Sequence, residues 1–134
     1  MTAKRGSVRR QVRIKRAPDE IWELIGDPSR IPEWFPGITA ATVDGTTRVI
    51  TTGSGIPIPE EILTQDAVQR RFQYRITGPM VKFHTSTLDV LDLGDGTSLV
   101  VYAADAEPST MALIIAGAAG NALQNLRTMM EGAG

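Results

Sequence analysis

Ala17-Pro18-Asp19-Glu20-Ile21-Trp22-Glu23-Leu24-Ile25-Gly26-Asp27-Pro28-Ser29-Arg30-Ile31-Pro32-Glu33-Trp34 is the stretch on which the fold turns. A proline and two acids in a first turn suit a helix N-terminus. The proline needs no N–H partner there, and the acids face the positive end of the helix dipole. Ile21, Trp22, Leu24 and Ile25 follow, and Gly26 ends the run. Asp27 is placed to cap a second short helix over Pro28–Trp34, with Pro36-Gly37 as its stop.

Before this stretch, Val8, Val12 and Ile14 fall on one face of an extended segment, with Arg9, Gln11, Arg13 and Lys15 on the other. Arg10 and Arg16 break that alternation. After it, a period of two takes over. Strands are expected near Ile38–Val43, Thr47–Thr52, Glu60–Gln65, Arg71–Thr77, Lys82–Leu91 and Thr97–Ala106. Asp44-Gly45, Gly53-Ser54-Gly55, Gly78-Pro79 and Gly94-Asp95-Gly96 separate them with turn chemistry. The chain then closes with one long helix, about Ser109–Met130, carrying an apolar stripe of Met111, Ile114, Ile115, Ala118, Ala122, Leu126 and Met129.

This order makes an α+β fold: a seven-stranded curved antiparallel sheet around a long C-terminal helix, with two short helices after the first strand. The middle of the long helix is small, Ala116-Gly117-Ala118-Ala119-Gly120 and then Ala122. Interiors pack densely, so small residues under a curved sheet imply either close backbone contact or a cavity.

At 134 residues the chain is expected to be a single domain over 1–134, with residues 1–6 a flexible basic tail. Seven of the 14 Lys and Arg precede Asp19, yet the net charge is −1. With no interleaved aromatics for stacking, nucleic acid is not the expected partner. The absence of cysteine excludes disulfides, thiolate metal sites and cysteine nucleophiles, and one histidine, His84, excludes a multi-histidine metal centre. The basic start lacks an apolar core for a secretory signal, and Met111–Gly120 is too short to span a bilayer. A cytoplasmic monomer or homodimer, without metal or cofactor, is expected.

The Ala17–Trp34 stretch resembles the START-like superfamily, the helix-grip fold of birch pollen allergen, polyketide cyclase/dehydrases and small lipid-transfer proteins. The resemblance extends from Val8 to Met130. A local likeness lies in Gly45–Pro57, where Ser54-Gly55-Ile56-Pro57-Ile58 is similar to the gate of plant abscisic-acid receptors, and it continues through Arg70–Ile76. The loop between Pro57 and Glu60 is shorter than theirs, and no lysine stands near Ile38–Val43 to hold a carboxylate, which argues against that hormone as ligand. The resemblance implies a small hydrophobic ligand (lipid, polyketide or aromatic metabolite) held between sheet and helix. Two further roles follow from it: a cofactor-independent cyclase/dehydratase, or a ligand-gated protein-interaction module.

It also implies that Arg48 and Glu60 point into that cavity, a pair held to transfer protons in the related lachrymatory-factor synthases. A carboxylate in an apolar pocket has its pKa raised, and a guanidinium pulls it back. A buried structural ion pair, or a solvated pair at the mouth, is the alternative, and a one-residue slip would exchange Glu60 with Glu61. On the sixth strand, likeness to the receptors places Phe83 and Thr85 inside and His84 outside; His84 as a general base needs the opposite register. Phe72, Tyr74 and Ile76 alternate with Arg71, Gln73 and Arg75, so the aromatic face is taken as interior. Tyr102 is either a pocket donor or a buried tyrosine bonded to a backbone carbonyl. Trp34, Ile50, Thr52, Ile56, Ile62, Ile114, Ala118 and Ala122 complete the expected lining. Asp89, Asp92 and Asp95 are in the wrong order for an EF-hand, and Gly53-Ser54-Gly55 is no nucleotide loop.

Overall fold

The computed structural model describes residues 4–132. Strand β1 (Gly6–Ile14) leads into helix α1 (Pro18–Ile25), a 3-10 turn (Pro28–Arg30) and the short helix α2 (Ile31–Trp34). Six strands follow: β2 (Ile38–Asp44), β3 (Thr47–Thr52), β4 (Pro57–Asp66), β5 (Arg71–Ile76), β6 (Phe83–Asp92) and β7 (Ser98–Glu107). Helix α3 (Ser109–Gly132) closes the chain. One antiparallel sheet holds all seven strands in the order β1-β7-β6-β5-β4-β3-β2. This is the helix-grip architecture expected from the sequence.

The helix starts form for the reasons their residues suggest. Pro18 opens α1 with Asp19 and Glu20 in its first turn, and Gly26 sits at its C-cap. The Asp27 carboxylate accepts the Ser29 backbone N–H at 3.0 Å, capping the turn that feeds α2. Both short helices bury their apolar sides: Ile21, Leu24, Ile25, Ile31 and Trp34 join the core with Ile14, Leu88, Val90 and Val100. The Asn125 side-chain amide donates to the Trp34 carbonyl at 2.9 Å, tying α3 to α2.

Two irregularities curve the sheet. Register shifts in β2 between Ile38 and Ala40, and in β4 between Ile62 and Thr64, insert an extra residue on one strand and bend it. Strand β4 also begins three residues earlier than expected, and contains Pro57 and Pro59. The Pro59 carbonyl accepts the Thr77 N–H at 3.0 Å, so the donor that Pro59 lacks would face the end of β5, where no ladder continues.

Helix α3 departs from its expected stripe. Its buried residues are Ala112, Ala116, Ala119, Ala122, Leu123 and Leu126, while Leu113 and Ile114 are exposed. The alanines let the helix lie close on β1 and β7. At Gly6 an added Cβ would stand 2.7 Å from the Ala112 Cβ, a distance side chains do not tolerate. Arg10, which breaks the alternation of β1, has its aliphatic stem beside Gly120. Gly6 belongs to β1 rather than to a tail, and Arg5 lies over the Phe83 ring at 3.8 Å; residues 1–3 of the basic tail lie outside the described residues.

Candidate functional site

The other edge of α3 stands off from the sheet, and a cavity of about 290 Å³ opens there. Met111, Ile114, Ile115 and Ala118 form its helix side; Ile50 and Thr52 of β3, Ile58 and Glu60 of β4, Tyr74 of β5, His84 of β6 and Tyr102 of β7 form its sheet side. Phe35, Pro36 and Gly37 close it after α2, and Met80 sits in the β5–β6 loop beside it. The small residues of α3 thus serve both alternatives, close contact on one edge and a cavity on the other.

Glu60 and Arg48 face each other directly across β4 and β3. Arg48 Nε donates to Glu60 Oε1 at 2.7 Å, with both side chains almost fully buried at 2% and 3% exposure. Arg48 Nη1 also donates to the Pro28 carbonyl at 3.2 Å, and its guanidinium lies over the Tyr74 ring at 4.9 Å from the centroid. Among the described residues its Nη2 has no hydrogen-bond partner. Arg48 therefore holds the carboxylate from behind, and Glu60 itself borders the cavity. Burial raises the Glu60 pKa above the usual carboxylate range, and the Arg48 charge only partly opposes it. Glu61 points to the outer face, where Arg75 Nε meets its carboxylate at 2.7 Å.

The facing of β6 is the opposite of the one implied by the receptor likeness. His84, Ser86, Leu88 and Val90 are buried, while Phe83 and Thr85 lie on the outer side beside Arg75 and Lys82. His84 is 3% exposed and borders the cavity. The cause lies in the seam between β5 and β6. Their ladder runs only from Arg71↔Asp89 to Tyr74↔Ser86, so the Ile76 N–H has no backbone partner in β6 and donates to His84 Nδ1 at 2.8 Å. The other ring nitrogen, Nε2, lies 2.7 Å from Ser86 Oγ. Burial lowers the His84 pKa to about 4, with the Asp105 charge opposing, so the ring is neutral. Sequence reasoning gave this residue the wrong side, although Leu88 and Val90 share its parity and the polar Asp89 does not.

The Tyr74 and Tyr102 hydroxyls meet inside the cavity and hydrogen-bond each other. Burial, with the Glu60 charge adding to it, pushes the Tyr74 phenol up to about 12, and burial drives Tyr102 well above its usual value. Both stay protonated at neutral pH.

The remaining expected residues divide. Ile50, Thr52, Ile114 and Ala118 border the cavity. Phe72 is buried behind it, with Arg48 over its ring at 5.4 Å, and Trp34 and Ala122 are core. Ile62 packs against the core beside the β4 bulge. Ile56 does not line the cavity: it is 57% exposed, because it sits in the turn before β4, where Gly55 takes φ +85°. Ile58, two residues on, lines it instead. Among the described residues no cluster of ligating side chains suits a metal, and no helix is long and apolar enough to cross a membrane.

The sequence matches the polyketide cyclase/dehydrase and lipid transport family over residues 5–131. The chain belongs to that family. No curated protein sequence matches it. Solved structures share the fold of this cyclase/dehydrase-family member. The Bacillus cereus protein XoxI superposes with a TM-score of 0.89 at 23% identity, over 94% of this chain and 96% of that one. Norcoclaurine synthase from Thalictrum flavum, in complex with a transition-state analogue, gives 0.75 at 13% identity over 99% and 98%. The di-domain ARO/CYC BexL from the BE-7585A biosynthetic pathway gives 0.79 at 16% identity, over 93% of this chain and 46% of that one.

Proposed function

We propose that this protein binds a small hydrophobic molecule in the cavity between its sheet and α3. The observation that supports this best is the cavity itself: about 290 Å³, walled mainly by isoleucines, Met111 and aromatic side chains, with few polar groups converging on it. That is the make-up of a ligand pocket, at the small end of the usual range of roughly 300–1,000 Å³. Membership of a family described as acting in cyclisation, dehydration and lipid transport agrees with it. Ala118→Phe places a ring at the cavity border on the exposed side of α3, outside the packed face. It is expected to weaken uptake of a hydrophobic dye at least tenfold while thermal unfolding stays unchanged. Unaltered dye binding in that variant would refute the pocket. Ala122→Phe is not equivalent: Ala122 is fully buried in the core, so the ring would overpack it by about 1–3 kcal/mol.

The Glu60–Arg48 pair supports a second reading, a cofactor-independent cyclase or dehydratase. A carboxyl with a raised pKa, facing an apolar cavity, is suited to take and return a proton near neutrality, and Arg48 would steady the charge. Glu60→Gln is then expected to lower turnover of a polyketide-like substrate by about 10²–10⁴. Full turnover in that variant would leave Glu60 a structural partner of Arg48.

A further inference from the structure

The outer face of the sheet is tiled by cross-strand polar contacts, and the tiling stops at one place. Arg71 Nε and Nη2 donate to the Asp89 carboxylate at 2.8 and 3.1 Å. Two residues on, the Gln73 amide donates to Thr87 Oγ1 at 2.9 Å and accepts from Thr64 Oγ1 at 2.7 Å. Each of these β5 side chains bonds the β6 residue that the register sets opposite it. The next row would set Arg75 against Thr85. By then the β5–β6 ladder has ended, and Arg75 turns to Glu61 of β4 instead. Thr85 is left bordering a depression of about 280 Å³ in the outer surface.

Apolar side chains wall this depression, where a solvated sheet face ordinarily carries polar ones. Leu63 is the extra residue of the β4 bulge, between Ile62 paired with Tyr74 and Thr64 paired with Gln73, and the bulge leaves it 44% exposed. Phe83 is 36% exposed, with the Arg5 guanidinium over its ring. Ile76 and His84 form the floor, and the same two side chains border the inner cavity, so the two spaces lie back to back. An apolar guest would take the leucine and phenylalanine surfaces out of water.

The charged residues that line the depression are both cations, Arg75 and Lys82. Arg75 spends its Nε on Glu61 and keeps its two Nη groups as donors. Among the described residues Lys82 is in no ion pair. The nearby Glu107 carboxylate meets Arg5 at 3.9 Å, and Asp105 lies one strand further out, across from Thr85 on β7. We infer that this depression is a second ligand site, on the opposite side of the sheet from the cavity, for a small organic anion. The apolar body of the guest lies against Leu63, Ile76 and Phe83, and its carboxylate accepts from Lys82, Arg75 Nη and the Thr85 hydroxyl. The site stands whether or not the inner cavity takes a guest of its own.

Naphthalene-2-carboxylate and naphthalene-2-carboxamide, alike in shape and different in charge, test this by NMR titration of the labelled protein. The carboxylate is expected to bind about tenfold tighter or more, to weaken as salt rises, and to give intermolecular NOEs to the Leu63 methyls. Ala118→Phe alters only the helix side of the inner cavity, so this binding should persist in that variant. Lys82 is exposed, so Lys82→Glu is expected to keep the unfolding midpoint and lose the carboxylate's advantage, while Lys82→Arg retains it. Equal affinity for the two probes, contacts confined to α3 and β3, or undiminished carboxylate binding in Lys82→Glu would each overturn the inference. Saturable binding of neither probe at the outer depression would overturn it too. Each of these results leaves the inner pocket to its own dye-binding test.

Discussion

Arg48–Glu60 and Arg75–Glu61 are one chemical pair built twice on neighbouring strands. Each is a directly opposed cross-strand couple with an Nε–Oε1 distance of 2.7 Å. The inner side chains are 2% and 3% exposed, the outer ones 52% and 41%. Geometry is therefore constant and only the surroundings differ. Outside, water would solvate either partner alone, and the pair is worth little. Inside, each charge has given up its hydration and depends on the other. The same contact is decoration on one face of the sheet and a dependency on the other.

Removing the arginines puts the contrast to its hardest test. Arg48→Met strands the Glu60 carboxylate in the core and is expected to cost about 3–5 kcal/mol in denaturant unfolding at neutral pH. A cost below 1 kcal/mol would mean that the inner pair is no more interdependent than the outer one.

A buried group in no ion pair among the described residues sharpens the comparison, and His84 is that group. It meets burial by giving up its charge, so its pKa is about 4 in the folded protein against 6.5 in the unfolded chain. Between those values the unfolded chain binds the extra proton. Stability is therefore full above about pH 6.5 and falls as the pH drops through 4, by on the order of 3 kcal/mol. In His84→Gln this loss should disappear, and urea unfolding between pH 4 and 7 reads it. An unchanged slope would place the acid sensitivity elsewhere.

The smallest effect belongs to the outer pair. Arg75→Met is expected to change stability by only about 0.2–1 kcal/mol, and the change should fade further in molar salt. A loss comparable to that of Arg48→Met would end the contrast between the two faces.

Much of this arrangement was legible in the residues, and the exceptions have physical causes. The two short helices and the six later strands announce themselves through Pro18, Asp27, the period of two and the glycine turns. Glu60 falls inside and Glu61 outside, as alternation along β4 allows. The facing of His84 was also present in the pattern, in the parity of Leu88 and Val90, but a likeness to other proteins' pockets pointed the other way. The truncated β5–β6 ladder that gives His84 its place is a long-range pairing, invisible to local pattern. The face of α3 was misjudged because hydropathy favours Met111, Ile114 and Ile115. Close packing on β1 and β7 instead demands Ala112, Ala116 and Ala119. Ile56 looked like a cavity residue because it is apolar, yet the turn at Gly55 aims it outward.

The contact between Gly6 and Ala112 has a consequence for how such a protein changes over time. A helix resting backbone-close on β1 and β7 cannot sink further toward the sheet, since even one methyl at Gly6 would collide. Its height is fixed on one edge by residues that never touch the cavity. Met111, Ile114, Ile115 and Ala118, on the other edge, are thereby released from holding the helix in place. Substitutions among those four can reshape the space beneath without unseating the scaffold. Retention of the fold and choice of guest become separately editable traits, written on opposite sides of a single helix.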